Sequence, residues 1–216
     1  MNVLICSGHT LQGVGSGATG YINESEENRI LSKIVVKYLE YAGHNVDYYE
    51  VNEGKDYLQK QVAKANSKNY DLVVQIHFNA FKLVEGSMGT ETYYLSDSGK
   101  VWAEKVNNKL STVFKSRGVK KGEGLYWLKN TKCSSSILIE TCFVDSKHDT
   151  DTYKVNKDLI GKLIAEGINR KEIKMPTEIF YRVIAGSFTK RENAEQQLKL
   201  LEAKGIKGGF IDIYNK

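Results

Sequence analysis

The sequence predicts an α/β protein with a single mixed, mostly parallel twisted sheet flanked by helices, followed by a small C-terminal βαβ unit. Short apolar runs with strand character occupy residues 3–6, 72–76 and 137–139. Stretches with helical periodicity lie between these runs, which is the alternation expected of a sheet that is covered on both faces.

Strand and helix signals alternate through the first half of the chain. A Gly/Ser/Thr-rich loop over residues 7–21 follows the first strand, and the next helix ends before Gly43. The apolar stripe of that helix consists of Leu31, Ile34, Val35, Tyr38, Leu39 and Ala42. Residues 45–49 alternate as a strand does, residues 57–66 have helical spacing, and residues 71–76 form the next buried strand.

The second half continues the same pattern. Alternation predicts a strand over residues 89–95, and apolar spacing predicts a helix over residues 100–116 that stops at Arg117-Gly118. After the strand at 137–139, a helix over residues 156–168 closes the main domain.

The sole proline of the chain, Pro176, lies in a polar stretch that is the best linker candidate. We therefore expect a main domain over residues 1–170, a linker over 171–177 and a small unit over 178–216. In the small unit, strands at 180–185 and 209–214 enclose an amphipathic helix at 191–203. So short a segment buries little core, so it is expected to lean on the main domain or on a copy of itself.

The composition is that of a globular protein that is not embedded in a membrane. The chain has 216 residues, of which 41% are hydrophobic and 26% charged, and it lacks a long apolar run or a basic leader at its start. We therefore expect synthesis in the cytoplasm without a signal peptide. The net charge of +5 favours polyanionic partners, but no basic run or helix stripe indicates nucleic acid. Cys6, Cys133 and Cys142 are odd in number and far apart, which argues against a disulfide framework.

Two histidines and one acid lie at the ends of the predicted strands. His9 and His77 each follow an apolar run, and Glu140 ends another. The carboxyl ends of parallel strands meet at one edge of a sheet, where α/β proteins bind ligands. Two imidazoles and one carboxylate are a ligand set of catalytic zinc sites. His44 and His148 have polar surroundings and are expected at the solvated surface.

The start of the first helix, Glu24-Ser25-Glu26-Glu27, offers the third ligand. Helical periodicity places Glu24 and Glu27 on the same face as Leu31 and directs Glu26 elsewhere. Periodicity leaves Glu24 and Glu27 as alternatives. A third interpretation is that these acids only stabilise the helix N-terminus through the macrodipole.

Two other motifs are weaker. Residues 15–20 satisfy G-x-G-x-x-G, but they begin too far beyond the first strand for a dinucleotide-binding turn. Cys6 and Cys142 lie close to the candidate site in sequence, yet cysteines within strands are usually inert small hydrophobic residues.

Five segments, in this order and in these strand contexts, carry a family resemblance. They are Gly8-His9, Gly17-Ala18, the glutamate that opens the first helix, Ile76-His77-Phe78-Asn79-Ala80 and Leu138-Ile139-Glu140-Thr141-Cys142-Phe143. From about residue 2 to about residue 168, the chain resembles zinc-dependent N-acetylmuramoyl-L-alanine amidases of the amidase-3 type, a fold used by autolysins and phage endolysins. One departure is Gly8-His9-Thr10, where many members have a further glycine after the histidine.

The resemblance implies a single Zn²⁺ per chain, held by His9, Glu24 and His77, with Glu140 as the catalytic glutamate. The family's ligand glutamate falls on Glu24 rather than Glu27 when counted back from Gly43. Asn79 is expected to support the site or face the substrate, or else to be a turn residue.

The implied reaction is hydrolysis of the amide bond between the lactyl group of N-acetylmuramic acid and L-alanine of the peptidoglycan stem peptide. The alternatives are a zinc peptidase that cuts within the stem peptide and a non-catalytic wall-binding module. Without an export signal, the protein is expected to reach the wall as a prophage endolysin released through a holin or as a sporulation autolysin freed by cell lysis.

The C-terminal segment resembles one repeat of the SPOR-type sporulation-related wall-binding domain. The resemblance rests on residues 181–188, 192–195 and 200–205. That domain normally comprises two repeats, so the half-repeat is expected to form a homodimer with a second chain or to serve as a weak targeting arm. The alternative is that it only packs on the catalytic domain.

Overall fold

The computed structural model describes residues 1–174 and 184–213 and confirms the mixed, mostly parallel sheet flanked by helices. In chain order the elements are β1 (Asn2–Ser7), α1 (Glu24–Tyr41), β2 (Asn45–Tyr49), α2 (Tyr57–Ala65), β3 (Leu72–Asn79), β4 (Thr90–Tyr94), α3 (Asp97–Leu110), β5 (Ser116–Lys121), α4 (Tyr126–Asn130), β6 (Ser136–Phe143), α5 (Lys147–Asn169) and α6 (Arg191–Ala203). The sheet order is β2-β1-β3-β6-β4-β5. Only the pair β4 and β6 is antiparallel among the strands of this sheet.

Apolar side chains cover both faces of the sheet. Val3 and Ile5 of β1 join a large core with α1, α3 and α5, whereas Leu4 and Cys6 join a smaller core with α2 and α4. Because successive side chains of a strand point to opposite faces, a strand covered on both faces is apolar throughout. This explains the unbroken apolar runs that predict β1 and β3.

Helix α1 begins and ends at residues suited to each position. The Asn23 side chain accepts a hydrogen bond from the backbone N–H of Glu26 at 3.2 Å, which caps the first turn. Gly43 has φ of 82°, a left-handed conformation that favours glycine, and it ends the helix as expected. Glu24 therefore lies in the first helical turn, close to the loop that follows β1.

The structure differs from the predicted elements in the second half of the main unit. The helix predicted over residues 100–116 is Asp97–Leu110, and the supposed stop at Arg117-Gly118 lies inside strand β5. Strand β5 is a polar edge strand that pairs only with β4 in the sheet, so it lacks the apolar pattern of a buried strand.

The last helix of the main unit begins earlier than residue 156. Ser146 caps it by accepting a hydrogen bond from Asp149 N at 3.1 Å, and Asn156 interrupts the helical dihedrals within it at φ −122° and ψ 18°. The short helix α4 was not predicted, because one turn and a half carries too little periodicity.

The chain divides into two compact units, residues 1–175 and 176–216. In the second unit, helix α6 occupies the expected position. The strand predicted at 209–214 is not formed over its described residues 209–213, and the one predicted at 180–185 lies mostly outside the described residues. An extended segment becomes a strand only when a neighbour supplies ladder hydrogen bonds. None of the helices that the structure describes has the length and apolarity needed to span a bilayer.

Candidate metal centre

Three strand ends carry the candidate site at one edge of the sheet. His9 lies just past β1, while His77 and Glu140 are register partners in the parallel strands β3 and β6. Register partners point to the same face, so these two side chains are neighbours. The topology therefore brings together residues that are far apart in sequence.

His9, Glu24 and His77 converge on one point. Their ligand atoms all lie within 4.8 Å of one another, and no other such group of His, Cys, Asp or Glu occurs in the described part of the chain. Glu24 Oε1 is 3.3 Å from His9 Nε2 and 3.1 Å from His77 Nδ1. Two imidazoles and one carboxylate match the protein ligands of a catalytic zinc site.

The structure distinguishes Glu24 from Glu27. The Glu24 side chain is 3% exposed and lies between the two histidines. Glu27 instead binds Lys157 Nζ at 2.7 Å and accepts a hydrogen bond from the Tyr153 hydroxyl at 3.0 Å, both on α5. Glu27 thus stabilises packing between helices.

Two glycines leave the space that the ligand side chains fill. A Cβ added to Gly8 would lie 2.2 Å from His77 Cε1, and one added to Gly17 would lie 2.6 Å from Glu24 Oε2. Both distances are shorter than van der Waals contact. This close approach explains why glycine occurs at position 8, next to His9, and at position 17, in the loop that follows β1.

Hydrogen bonds fix the orientation of the candidate ligands. His9 Nδ1 donates to the Gly15 carbonyl oxygen at 3.0 Å, and Nε2 is the ring nitrogen that faces Glu24. Glu24 accepts backbone N–H bonds from Ala18 at 3.0 Å and from Phe78 at 3.1 Å. A carboxylate oxygen and an imidazole nitrogen at this separation are held together by a proton or a cation between them.

The electrostatics of the three residues suit a cation. Burial acts to raise the pKa of Glu24, but hydrogen bonds from His77 and His9 outweigh it and hold that pKa below its usual value. Burial also lowers the pKa of His77, against the opposing effect of Glu24, which favours the neutral ring that ligates metals. The pKa of His9 is raised, because its contacts with Glu24 outweigh the effect of burial. Nε2 of His77 is buried without a hydrogen-bond partner among the described residues.

Glu140 is the second acid of the site. Its Oε2 atom is buried, and no described residue is hydrogen-bonded to it. Burial raises the pKa of this carboxyl well above its ordinary value, and the charges of Glu24 and Glu91 raise it further. A carboxyl with a raised pKa beside a candidate metal centre has the properties of a general acid and base.

Asn79 supports a buried acid that was not predicted. Its side-chain Nδ2 donates to Glu91 Oε1 at 2.9 Å, and Glu91 also forms ion pairs with Arg117 and Lys120. Glu91 is the register partner of Glu140 in the antiparallel pair β4 and β6. The alternation of residues 89–95 indicated the strand, but it could not indicate which strand lies beside it.

The remaining candidates lie outside the centre. His148 is exposed, and His44 is partly exposed with its Nε2 atom 3.0 Å from the Asn169 side-chain oxygen, so neither belongs to the centre. Cys6 and Cys142 are fully buried, and burial raises the pKa of both thiols, which suits inert core residues.

The chain is similar in sequence and in structure to proteins named as amidases or endolysins. Residues 3–170 match the Amidase_3 family model, described as N-acetylmuramoyl-L-alanine amidase. The chain is 39% identical over 184 residues to an uncharacterized protein of Clostridium perfringens (strain 13 / Type A), covering 81% of this chain and 53% of that protein. It is 32% identical over 173 residues to the N-acetylmuramoyl-L-alanine amidase LytC of Bacillus subtilis (strain 168), covering 76% of this chain and 34% of LytC.

Among solved structures, the catalytic domain of the CD27L endolysin targeting Clostridia Difficile superimposes with a TM-score of 0.73 at 34% identity. The match covers 81% of this chain and 99% of that domain. The chain spans about half the length of the Clostridium perfringens relative and about a third of LytC.

Proposed function

The chain belongs to the N-acetylmuramoyl-L-alanine amidase family matched by residues 3–170, and on that premise we propose that it is a zinc-dependent peptidoglycan hydrolase. The bond cleaved joins the lactyl group of N-acetylmuramic acid to L-alanine of the stem peptide. The observation that supports this proposal is the convergence of His9, Glu24 and His77 beside the buried acid Glu140. The protein acts on the bacterial cell wall as an endolysin or an autolysin.

The donor set fits a zinc ion held by His9, Glu24 and His77. When bound there, zinc polarises the scissile carbonyl and lowers the pKa of the attacking water. Glu24 supplies a carboxylate kept ionised by its hydrogen bonds, and the two rings supply neutral nitrogen donors. The single acid in the ligand set offsets half of the charge of the ion.

Glu140 moves the proton. Its Oε2 atom has no hydrogen bond to another described residue, so it is available to accept the proton of the attacking water and to deliver it to the leaving amine. Burial raises the pKa of this carboxyl, so Glu140 holds a proton more readily than an exposed glutamate does. Asn79 and Glu91 support this arrangement from the neighbouring strands.

An open cleft of about 720 Å³ adjoins the loop that follows His9 and is available to substrate. It is lined by Gln12, Gly13, Val14, Glu53, Gly54, Lys55 and Lys60. Tyr57 links this region to the metal centre, because its ring stacks on His9 with centroids 6.4 Å apart. The polar and charged side chains among these residues, Gln12, Glu53, Lys55 and Lys60, suit the peptide part of peptidoglycan.

The segment 178–216 is proposed as a wall-targeting half-repeat that follows the linker 171–177. Helix α6 has no buried residue, and Phe210 and Ile206 after it are 73% and 55% exposed. Such apolar exposure in a small unit suits binding to the wall or pairing with a second copy. Synthesis in the cytoplasm followed by release through a holin or by cell lysis would bring the protein to the wall.

Mass spectrometry of digested peptidoglycan tests the reaction. Amidase activity releases stem peptides that begin with L-alanine and leaves free lactyl groups on the glycan. New termini within the stem peptide would identify the zinc peptidase instead, and binding without any product would identify the wall-binding module. Metal analysis of the purified protein, with His9→Ala and His77→Ala as comparisons, tests the zinc site.

A further inference from the structure

The turn that carries His9 is held by side chains from two other elements. Consecutive backbone carbonyl oxygens of Ser7, Gly8 and His9 accept hydrogen bonds from Gln61 Nε2 at 2.8 Å, Asn28 Nδ2 at 2.7 Å and Arg29 Nη2 at 3.3 Å, respectively. Asn28 and Arg29 belong to α1, and Gln61 belongs to α2. Each of the three carbonyl oxygens in this turn therefore has its own side-chain donor.

The three donors are themselves buried and held in place. Gln61 and Asn28 are 0% exposed and Arg29 is 6% exposed. Gln61 accepts a further hydrogen bond from Gln75 at 2.8 Å, and Arg29 also donates to the Val51 carbonyl at 2.7 Å. A buried polar side chain is tolerated only when it is hydrogen-bonded, so these donors have a fixed geometry.

The turn has a conformation that a histidine does not favour. His9 has φ of 58°, and Arg170 is the only other non-glycine residue with positive φ in the described part of the chain. For residues with a Cβ this left-handed region is strained and persists when the surroundings impose it. In this backbone conformation, the His9 ring contacts the Gly15 carbonyl oxygen through Nδ1 and faces Glu24 through Nε2.

We propose that Asn28, Arg29 and Gln61 are positioning residues that hold the Ser7-Gly8-His9 turn and so preorganise His9 as a metal ligand. The inference rests on the proposed function, since it takes His9 to bind zinc. Without these donors, the metal-free protein relaxes the strained turn, and metal binding must order it again. Residues that orient a ligand in this way influence metal affinity although they do not touch the ion.

Zinc binding to the metal-free protein tests this role without reference to activity. Asn28→Ala and Gln61→Ala each remove one donor, from different helices. Asn107→Ala is the matched control, because Asn107 is a buried asparagine on α3 whose Nδ2 donates to the Ser116 hydroxyl at 2.9 Å. The zinc dissociation constant is measured by competition with a chromophoric chelator at a temperature where every variant is folded, and thermal unfolding is recorded in parallel.

We expect the zinc dissociation constant to rise about tenfold or more in Asn28→Ala and Gln61→Ala and to stay at the wild-type value in Asn107→Ala. All three variants are expected to unfold at a lower temperature. Unchanged zinc affinity in the two turn variants, with the same loss of thermal stability as the control, would reduce their role to general packing and overturn the inference. A wild-type protein that binds no zinc would reject the proposed function and this inference together.

Discussion

Replacing Glu140 by glutamine tests the proton-transfer role most directly. Gln keeps the shape of the side chain and removes the oxygen that accepts a proton, while the three proposed metal ligands stay in place. Loss of a general acid and base lowers the rate by about 10²–10⁴-fold, so wall hydrolysis is expected to fall by that factor. Zinc content is expected to match that of the wild-type protein.

The same change has a predictable effect on stability. Burial raises the pKa of Glu140 in the folded protein, whereas an unfolded glutamate titrates near about 4.3. The folded state therefore binds the proton more tightly, so its stability is full below the unfolded pKa and is lost as the pH rises towards the folded pKa. Each unit by which the pKa is raised corresponds to about 1.4 kcal/mol of lost stability above the folded pKa. Glutamine cannot ionise, so metal-free Glu140→Gln is expected to be more stable than the metal-free wild type at neutral pH.

Three measurements check these expectations. Amine release from purified wall gives the rate, metal analysis gives the zinc content, and denaturant unfolding of both metal-free proteins from about pH 4 to about pH 8 gives the free-energy difference. The stability gain of Glu140→Gln should shrink as the pH approaches 4. A rate within tenfold of wild type, or a stability difference that does not change with pH, would refute the assigned role of the buried carboxyl.

Other changes to the chain lead to further predictions. Gly8→Ala forces a Cβ to within 2.2 Å of the His77 ring, so metal analysis should show loss of zinc, whereas Gly124→Ala, with no atom within 4 Å of the added Cβ, should retain it. Removal of zinc by a chelator should lower the unfolding temperature, because an ion present at 1,000 times its dissociation constant stabilises the folded state by about 4 kcal/mol; equal melting curves with and without zinc would contradict this. Truncation after Thr177 should weaken sedimentation with purified wall more than turnover of a soluble muropeptide, and equal sedimentation would reject a targeting role for the tail.

The sequence predicts correctly the elements whose buried faces leave a regular apolar pattern. Strands β1 and β3 are covered on both faces, so their residues are apolar without interruption, and the helix that ends at Gly43 has a clear stripe and a clear stop. Strand β5 was missed because an edge strand is polar and contains Gly118, which also suits a helix end. A missed element such as β5 has a residue pattern that is set by its neighbours in the folded structure, and these neighbours cannot be identified from the sequence alone.

Part of the candidate site could likewise be predicted from the sequence. His9, His77 and Glu140 follow from strand ends, since the topology of a parallel sheet brings these ends together. The choice between Glu24 and Glu27 could not follow from periodicity, because both lie on the inward face and only their partners differ. The role of Gln61 could not be foreseen either, because its partner is a backbone carbonyl of a distant turn.

Both acids of the centre are buried, and the difference between their pKa shifts follows their hydrogen bonding. Burial acts to raise the pKa of Glu24, but its contacts with both histidine rings outweigh burial and lower that pKa. Glu24 also accepts two backbone N–H bonds. Glu140 has no such donors at Oε2 among the described residues, and its pKa is raised. Two buried carboxyls whose surroundings shift their pKa values in opposite directions are suited to different tasks. In the proposed function, the lowered pKa keeps Glu24 ionised as a metal ligand, and the raised pKa lets Glu140 gain and release a proton beside it.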